Sequence, residues 1–318
     1  MKRQHAFVEI GLVVTLIVLE TVSASCGSDS RGEGSGGAGG GGGQPAACLE
    51  ESKDLPGADD ATVSAGQFKR IAVGSFSCGI DSDGHLACWG ETGFQTEPPA
   101  GTFVDISVGA CSACAINTEG RISCWGCQPG DGGFLPPEGR FSSLAMGLDH
   151  LCAIRADDDS IACSGSISGG IPDGAFASIV SARHASCAIL RGETSKANVR
   201  CWGANDNGLA TPPEVSAVRL VNGVQHFCAI QPTGDLVCWG LSSSGQTDAP
   251  AGTFRMASGT CGIRDDQTIE CWGALKESDV PGGCFDQLSA GSTHACGIRA
   301  DGHVVCWGSN VRGESTPP

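Results

Sequence analysis

The sequence predicts an all-β protein, a seven-bladed β-propeller stapled by one disulfide in each blade. The first observation is repetition: from Gln67 to the C-terminus one phrase recurs seven times, as in GSFSCGIDSDGHLACWG and GSTHACGIRADGHVVCWG. The second is that every copy carries two cysteines, ten positions apart in five of the copies. The third is the absence of helical periodicity, since short apolar runs alternate with Gly- and Pro-rich turns.

Residues 1–25 are predicted to be a signal peptide. Lys2 and Arg3 precede an uncharged apolar run, IGLVVTLIVL, which is too short to span a bilayer. The small residues before Cys26 resemble a bacterial lipobox, so we expect cleavage there and a lipid on Cys26. Ordinary cleavage that leaves a bare thiol is the alternative. Residues 26–66 then form the anchor, a Gly-rich tether and a lead-in, and residues 67–318 form the propeller.

Each blade is predicted to hold a disulfide across a two-stranded hairpin. The spacing places the two cysteines of a copy opposite each other on antiparallel strands, on either side of a polar turn. An exported chain meets an oxidising compartment, where such pairs form bonds. The predicted pairs are Cys78–Cys88, Cys114–Cys124, Cys152–Cys163, Cys187–Cys201, Cys228–Cys238, Cys261–Cys271 and Cys296–Cys306.

The second copy has two extra cysteines. Cys111 and Cys127 each lie three positions outside Cys114 and Cys124, so they face each other across the same hairpin and are predicted to form a further disulfide. The four cysteines also form CxxC-x9-CxxC, a spacing typical of zinc knuckles. We favour disulfides, because the inner pair occupies positions that every other copy fills without extra cysteines.

Two more cysteines stand just before the first and seventh copies. If the copies close into a ring, Cys48 and Cys284 become neighbours, and a bond between them would lock the closure. With a lipid on Cys26, nine disulfides would account for all nineteen cysteines.

The phrase Gly-x-x-His-x-Cys-Ala-Ile, followed by Trp-Gly-x-Asn-x-x-Gly, resembles the repeat of the regulator of chromosome condensation family. The best matches are Gly223–Gly245, Trp202–Gly208 and Trp307–Gly313. The resemblance covers residues 67–318 and implies a seven-bladed propeller, similar in class to β-lactamase inhibitory protein II, a secreted propeller that binds enzymes with one face. The chain departs from the family pattern in its repeat disulfides and in Ser164, which replaces a Trp.

The other repeated side chains are assigned to packing. One position holds Trp in six copies, and we expect these residues to fill the gaps between blades rather than to form a light-sensing cluster. Histidines precede the first cysteine in four copies, and metal binding or pH sensing is the alternative to hydrogen bonding at a blade bend. Four copies spread around a ring make a poor coordination sphere, so no metal or other cofactor is predicted. The residues are Trp89, Trp125, Trp202, Trp239, Trp272 and Trp307, and His150, His184, His226 and His294.

Composition and motifs favour binding over catalysis. The net charge of −16 repels phosphate backbones and argues against nucleic-acid partners. No nucleophile elbow, phosphate-binding loop or paired carboxylates are recognisable, so no catalytic residue is predicted.

The connectors after each Trp-Gly differ most between copies, and three apolar residues stand in these polar segments. We predict that Phe94, Phe134 and Leu209 anchor a protein partner, with packing on their own blades as the alternative. The predicted protein is a monomeric, non-catalytic interaction scaffold, lipid-anchored to the outer membrane of the bacterial cell envelope or secreted. The alternatives are an inhibitor of a secreted enzyme and a hydrolase or lyase with a site at the channel.

Overall fold

A computed structural model describes residues 63–90, 97–127, 135–275 and 280–318, all of which belong to one compact unit, residues 45–318. The predicted signal peptide, Cys26, the tether and Cys48 lie outside the described residues, and so do Phe94 and Phe134. Within the described ranges no helix is long and apolar enough to cross a membrane.

The described residues form seven antiparallel units, numbered 1 to 7 in chain order, each with three strands. The first strands are β1 Val63–Val73, β4 Phe103–Val108, β7 Phe141–Met146, β10 Phe176–Ser181, β13 Arg219–Asn222, β16 Phe254–Ser258 and β19 Phe285–Ala290. The second strands are β2 Ser77–Asp81, β5 Ser112–Asn117, β8 His150–Arg155, β11 Ala185–Leu190, β14 His226–Ile230, β17 Cys261–Arg264 and β20 His294–Arg299. The third strands are β3 Leu86–Trp89, β6 Ile122–Gly126, β9 Ile161–Gly165, β12 Val199–Gly203, β15 Leu236–Gly240, β18 Ile269–Cys271 and β21 His303–Gly308. A 3-10 turn, Asp206–Gly208, lies in the connector after unit 4.

The units close into a ring. Each first strand contacts the first strand of the next unit, and β19 contacts β1, which completes the circle. This is the arrangement of a β-propeller, and seven units are consistent with the seven predicted blades.

Strand β1 joins the two ends of the ring. Its first half pairs with β21, with Val63 opposite Val305, and its second half pairs with β2, so units 7 and 1 share a six-stranded sheet. Strand β1 therefore begins before Gln67, the residue at which the sequence repeat starts. Val63 to Gly66 precede the first copy of the repeat, and sequence repetition gives no signal for a strand that completes a different copy.

The second strand is the core of each unit. In β8 the residues from His150 to Ile154 are buried without a break. The unit before covers the face that carries Leu151 and Ala153, and the unit after covers the face that carries Cys152 and Ile154. An isoleucine opposite the first strand is 0–7% exposed in every unit. Aromatic residues also start most first strands, where a register shift follows the Phe.

Eight disulfides are present among the described residues. All seven repeat pairs lie directly opposite each other on the second and third strands, with Cα atoms 3.9–4.1 Å apart. Cys111 and Cys127 form the eighth, with Cα atoms 5.6 Å apart, so the CxxC pairs of unit 2 are disulfides and not zinc ligands. Cys284 is disulfide-bonded. Its predicted bond to Cys48 involves a residue outside the described ranges and stays a prediction.

Side-chain oxygens join adjacent first strands around the inside of the ring. The hydroxyls of Ser107, Ser258 and Ser289 each accept a hydrogen bond from a backbone N–H of the next unit, at 2.9–3.1 Å. Asp105 does the same with Leu144, at 3.3 Å, and also binds Arg70 of the preceding unit, at 3.0 Å. The described first strands are not paired with one another in any sheet, so these polar side chains stabilise the inner wall.

Candidate functional site

The first strands enclose a channel of about 630 Å³ to which all seven units contribute. At one end it opens into a second cavity of about 340 Å³, and the two share six lining residues, among them Val73, Val108 and Met146. The turns that join first to second strands surround this end. We call these turns the collar and the smaller cavity the mouth.

Close approach of neighbouring turns makes the collar compact. A Cβ atom on Gly74 would lie 2.3 Å from the carbonyl oxygen of Gly109 in the next unit, and one on Gly147 would lie 2.6 Å from that of Ala182. Only a residue without a side chain fits where two turns approach so closely. The glycine that opens the repeated phrase is thus required by packing between units.

Hydrogen bonds link the collar turns of units 3, 4 and 5. The backbone N–H of Leu148 donates to the carbonyl of Arg183, and the N–H of Arg183 donates to the carbonyl of Val224, both at 2.9 Å. These three residues, which we call the collar arc, follow the first strands of their units and line the mouth. Leu148 is 37% exposed and Val224 46% exposed, on either side of an exposed arginine.

The collar arc breaks the symmetry of the repeat. The equivalent turn position is held by a small residue in units 1, 2 and 7, and unit 6 has a shorter turn without it; the small residues are Ser75, Ala110 and Ser292. Closing the ring does not require two exposed aliphatic residues and a cation at this position. Such a patch on a preformed backbone is suited to holding an apolar group of a partner beside a negative charge.

The sequence analysis did not single out the collar arc. Its residues fall between two repeated features, the first strand and the cysteine, in a position that varies among the units. Aligning the copies at this position would have revealed two large aliphatic residues and an arginine where units 1, 2 and 7 have small residues.

Three of the four repeat histidines lie where neighbouring units meet, at contacts that we call seams. The Nε2 atoms of His150 and His294 each lie 2.8 Å from a serine Oγ of the next unit, Ser186 and Ser77 respectively. Nε2 of His226 lies 3.1 Å from the carbonyl oxygen of Gly259. All three rings are buried, and burial lowers their pKa below the ordinary value of 6.5. They connect neighbouring units rather than converge on one point.

One of these seams has the order of groups found in a serine hydrolase. Asp149 Oδ1 lies 3.5 Å from Nδ1 of His150, whose Nε2 faces the Oγ of Ser186. Ser186 and His150 are both completely buried, so no substrate reaches the hydroxyl. Asp149 also binds Nδ1 of the half-exposed His184, at 3.2 Å. The same histidine–serine contact recurs between units 7 and 1, which indicates that its role is structural.

Tryptophan side chains fasten connectors to the ring. Five of the six are 4–8% exposed, and Trp125 is half-buried. The indole N–H groups of Trp239 and Trp272 donate to the carbonyl oxygens of Leu209 and Gln246, both in the connector of the preceding unit, at 3.0 and 2.9 Å. A phenylalanine ring is the aromatic neighbour of Trp89, Trp239, Trp272 and Trp307. Packing is therefore their role.

The prediction that Leu209 anchors a partner is wrong. Its side chain is 5% exposed and packs with Phe227 and Trp239, while its carbonyl accepts the Trp239 bond. An apolar residue in a polar connector serves here to hold the connector against its own ring. Within the described part of the chain no group of three His, Cys, Asp or Glu side chains is arranged to hold a metal ion.

Comparison with known proteins identifies the repeat. The family model described as "Regulator of chromosome condensation (RCC1) repeat" matches residues 285–314, which contain the three strands of unit 7. The other units share its cysteine positions and strand order.

Three solved structures share the fold. The ectodomain of the receptor kinase CR4 from Physcomitrella patens is 24% identical with a TM-score of 0.66, covering 77% of this chain and 74% of that one. The CRINKLY WD40 ectodomain of the Arabidopsis thaliana receptor kinase ACR4 is 23% identical with a TM-score of 0.65, covering 78% and 97%. Human WBSCR16 is 15% identical with a TM-score of 0.55, covering 77% and 90%. At these identities the likeness concerns the fold alone.

Proposed function

We propose that this chain, a protein of the regulator of chromosome condensation repeat family, is an interaction scaffold that docks a protein partner on its collar. The observation that carries the proposal is the collar arc, where Leu148 and Val224 are exposed on either side of Arg183. A partner that fits this patch presents an apolar side chain to the mouth and an acidic group to Arg183. A few buried apolar contacts flanked by a polar rim supply most of the affinity at such interfaces.

Rigidity of the collar supports this role. Its turns are joined to one another by backbone hydrogen bonds, and Cys111–Cys127 ties the collar turn of unit 2 to its own connector. A preorganised surface loses little conformational entropy on docking, so more of the contact energy appears as affinity.

The collar can be tested against a matched surface. The pair Leu148→Asp and Val224→Asp is compared with Val104→Asp and Val218→Asp, two exposed valines, 48% and 55% exposed, near the opposite ends of the first strands. Each purified protein is used to capture partners from an envelope extract of the producing cells, followed by chemical crosslinking and mass spectrometry. We expect the collar pair to lose the stoichiometric partner and the valine pair to keep it. Capture that survives the collar substitutions but not the valine substitutions would place the interface at the other end.

An envelope location belongs to the same proposal. Eight disulfides suit an oxidising, extracellular-type compartment. Lys2, Arg3 and the apolar run before Cys26 support export and lipid attachment. Labelling of growing cells with radioactive palmitate tests the anchor: label is expected on the natural chain and absent after Cys26→Ser, whereas equal labelling of both would exclude Cys26 as the attachment point.

A hydrolase is the second candidate, and the contacts among Asp149, His150 and Ser186 favour it. Burial of Ser186 counts against it. A fluorophosphonate probe modifies activated serines covalently, so it distinguishes the two cases. We expect no labelling of the natural chain, of Ser186→Ala or of the matched seam variant Ser77→Ala. Labelling that only Ser186→Ala abolishes would make the protein a serine hydrolase.

A further inference from the structure

The charged residues of the channel are unbalanced. Three arginines and two aspartates line it, which leaves one excess positive charge inside a chain whose net charge is −16; they are Arg70, Arg219, Arg255, Asp105 and Asp286. A cationic enclosure of this kind attracts small anions, because low-dielectric walls focus its field.

Two of the arginines form ion pairs with aspartates of the next unit. Arg70 Nε lies 3.0 Å from Asp105 Oδ1 across the seam of units 1 and 2, and Arg255 Nη2 lies 3.2 Å from Asp286 Oδ1 across the seam of units 6 and 7. Arg70 and Asp105 occupy equivalent positions in their units, because each lies opposite the buried isoleucine of its own second strand.

Arg219 occupies the same register position in unit 5, opposite Ile230. The corresponding residue of unit 6 is Met256, opposite Ile263, and that of unit 4 is Ser178, opposite Ile189. Neither neighbour supplies a carboxylate. Arg219 is exposed to the channel and makes no ion pair or side-chain hydrogen bond with any residue that the structure describes.

We propose that the channel binds a small organic monocarboxylate whose anionic group is held by Arg219. A guanidinium binds a carboxylate through two parallel hydrogen bonds, which suits this unpaired fork. The body of the ligand lies toward the mouth, where Val73, Val108 and Met146 line the wall. A doubly charged phosphate is disfavoured, because Asp105 and Asp286 share the same enclosure. The volume of about 630 Å³ falls in the range of small-molecule sites.

This site is separate from the collar arc, since Leu148, Arg183 and Val224 line the mouth and not the charged part of the channel. A result that rules out binding at one of these two sites therefore leaves the other site testable.

The experiment titrates 4-phenylbutyrate, its neutral amide and inorganic phosphate into the full chain by isothermal titration calorimetry. We expect the carboxylate to bind, with the amide and phosphate weaker by about tenfold or more. Arg219→Gln should weaken the carboxylate by at least about the same factor. Arg121→Gln, at an exposed hairpin, should leave its affinity unchanged.

A second variant keeps Arg219 and gives it a carboxylate partner within the protein. Met256→Asp places a carboxylate at the register position that pairs with Arg70 in unit 2, so it should compete for Arg219 and abolish binding, while Met256→Asn should not. Circular dichroism and thermal unfolding check that each variant is folded. The proposal is overturned if the natural chain binds no carboxylate at millimolar concentration, if the amide binds equally well, or if folded Arg219→Gln and Met256→Asp both bind like the natural chain.

Discussion

Nε2 of His294, in the last unit, lies 2.8 Å from the Oγ of Ser77 in the first. This contact bridges the two ends of the ring, and both side chains are completely buried. It complements the pairing of β1 with β21, so the closure is held at the collar as well as at the outer edge. The ring is therefore closed by specific polar groups in addition to apolar packing.

The closing contact can be measured by a double-mutant cycle. Ser77→Ala leaves the His294 imidazole without its partner in a buried seam, so we expect a loss of about 1–3 kcal/mol in the free energy of unfolding. The coupling to His294→Ala should be about 1 kcal/mol, obtained from urea unfolding of the two single variants and the double variant. Ser75→Ala, on the exposed side of the same turn, serves as control and should change little. Strict additivity of the two seam substitutions would contradict the contact.

Stability should depend on pH through the buried histidines. Burial lowers the pKa of His150, His226 and His294 in the folded chain, whereas the unfolded chain has the ordinary value of 6.5. The unfolded state therefore binds more protons near this pH, and stability rises with pH. Their full contribution is present above about pH 6.5 and is lost as the pH falls through the lowered values. Urea unfolding between pH 8 and pH 5 checks this.

The carboxylates near these rings moderate the effect. Asp149 raises the pKa of His150 and Glu314 raises that of His294, whereas His226 has only a backbone carbonyl. His226→Gln and His294→Gln should each flatten the pH profile, because each removes a buried imidazole with a lowered pKa. Equal slopes for the natural chain and both glutamine variants would show that other groups govern the profile.

Asp105 is expected to matter more than its counterpart Asp286. Asp105 is 6% exposed and accepts hydrogen bonds from Ile106, Leu144 and Arg70, which belong to three units. Burial raises the pKa of its carboxyl, and Arg70 and the two N–H groups partly offset the rise. Asp105→Ala leaves the buried N–H groups of Ile106 and Leu144 without their acceptor. We therefore expect thermal unfolding to show a loss of about 1–3 kcal/mol in the free energy of unfolding.

Asp286→Ala is the matched control for that experiment. The Asp286 side chain is half exposed, and its ion pair with Arg255 is therefore screened by water. Its removal should cost less than about 1 kcal/mol. The interpretation of the channel wall would be wrong if both variants lost the same stability.

The Trp239 indole bond should hold the connector after unit 4. Trp239→Phe keeps an aromatic ring beside Phe227 but removes the donor to Leu209, so we expect a loss of about 1 kcal/mol and faster amide exchange in the connector. Trp89→Phe is the matched substitution, because the Trp89 indole N–H finds no acceptor among the described residues. Trp89→Phe should not speed amide hydrogen exchange in the connector, which is measured by mass spectrometry. Identical exchange patterns in the two variants would argue against the bond.

The sequence alone determined the unit of this protein. Cys78 and Cys88 predict the hairpin and its register, because residues opposite each other on antiparallel strands must be symmetric about the turn, and seven copies of one hairpin predict a repetitive all-β ring. Tertiary structure alone decided what each unit presents to its neighbours. Three features depend on how one unit meets another. They are the burial of Leu209, the contact of His294 with Ser77, and the lack of a carboxylate beside Arg219. The repeat encodes local pairing, whereas a binding surface depends on which non-repeated side chains the closed ring brings together.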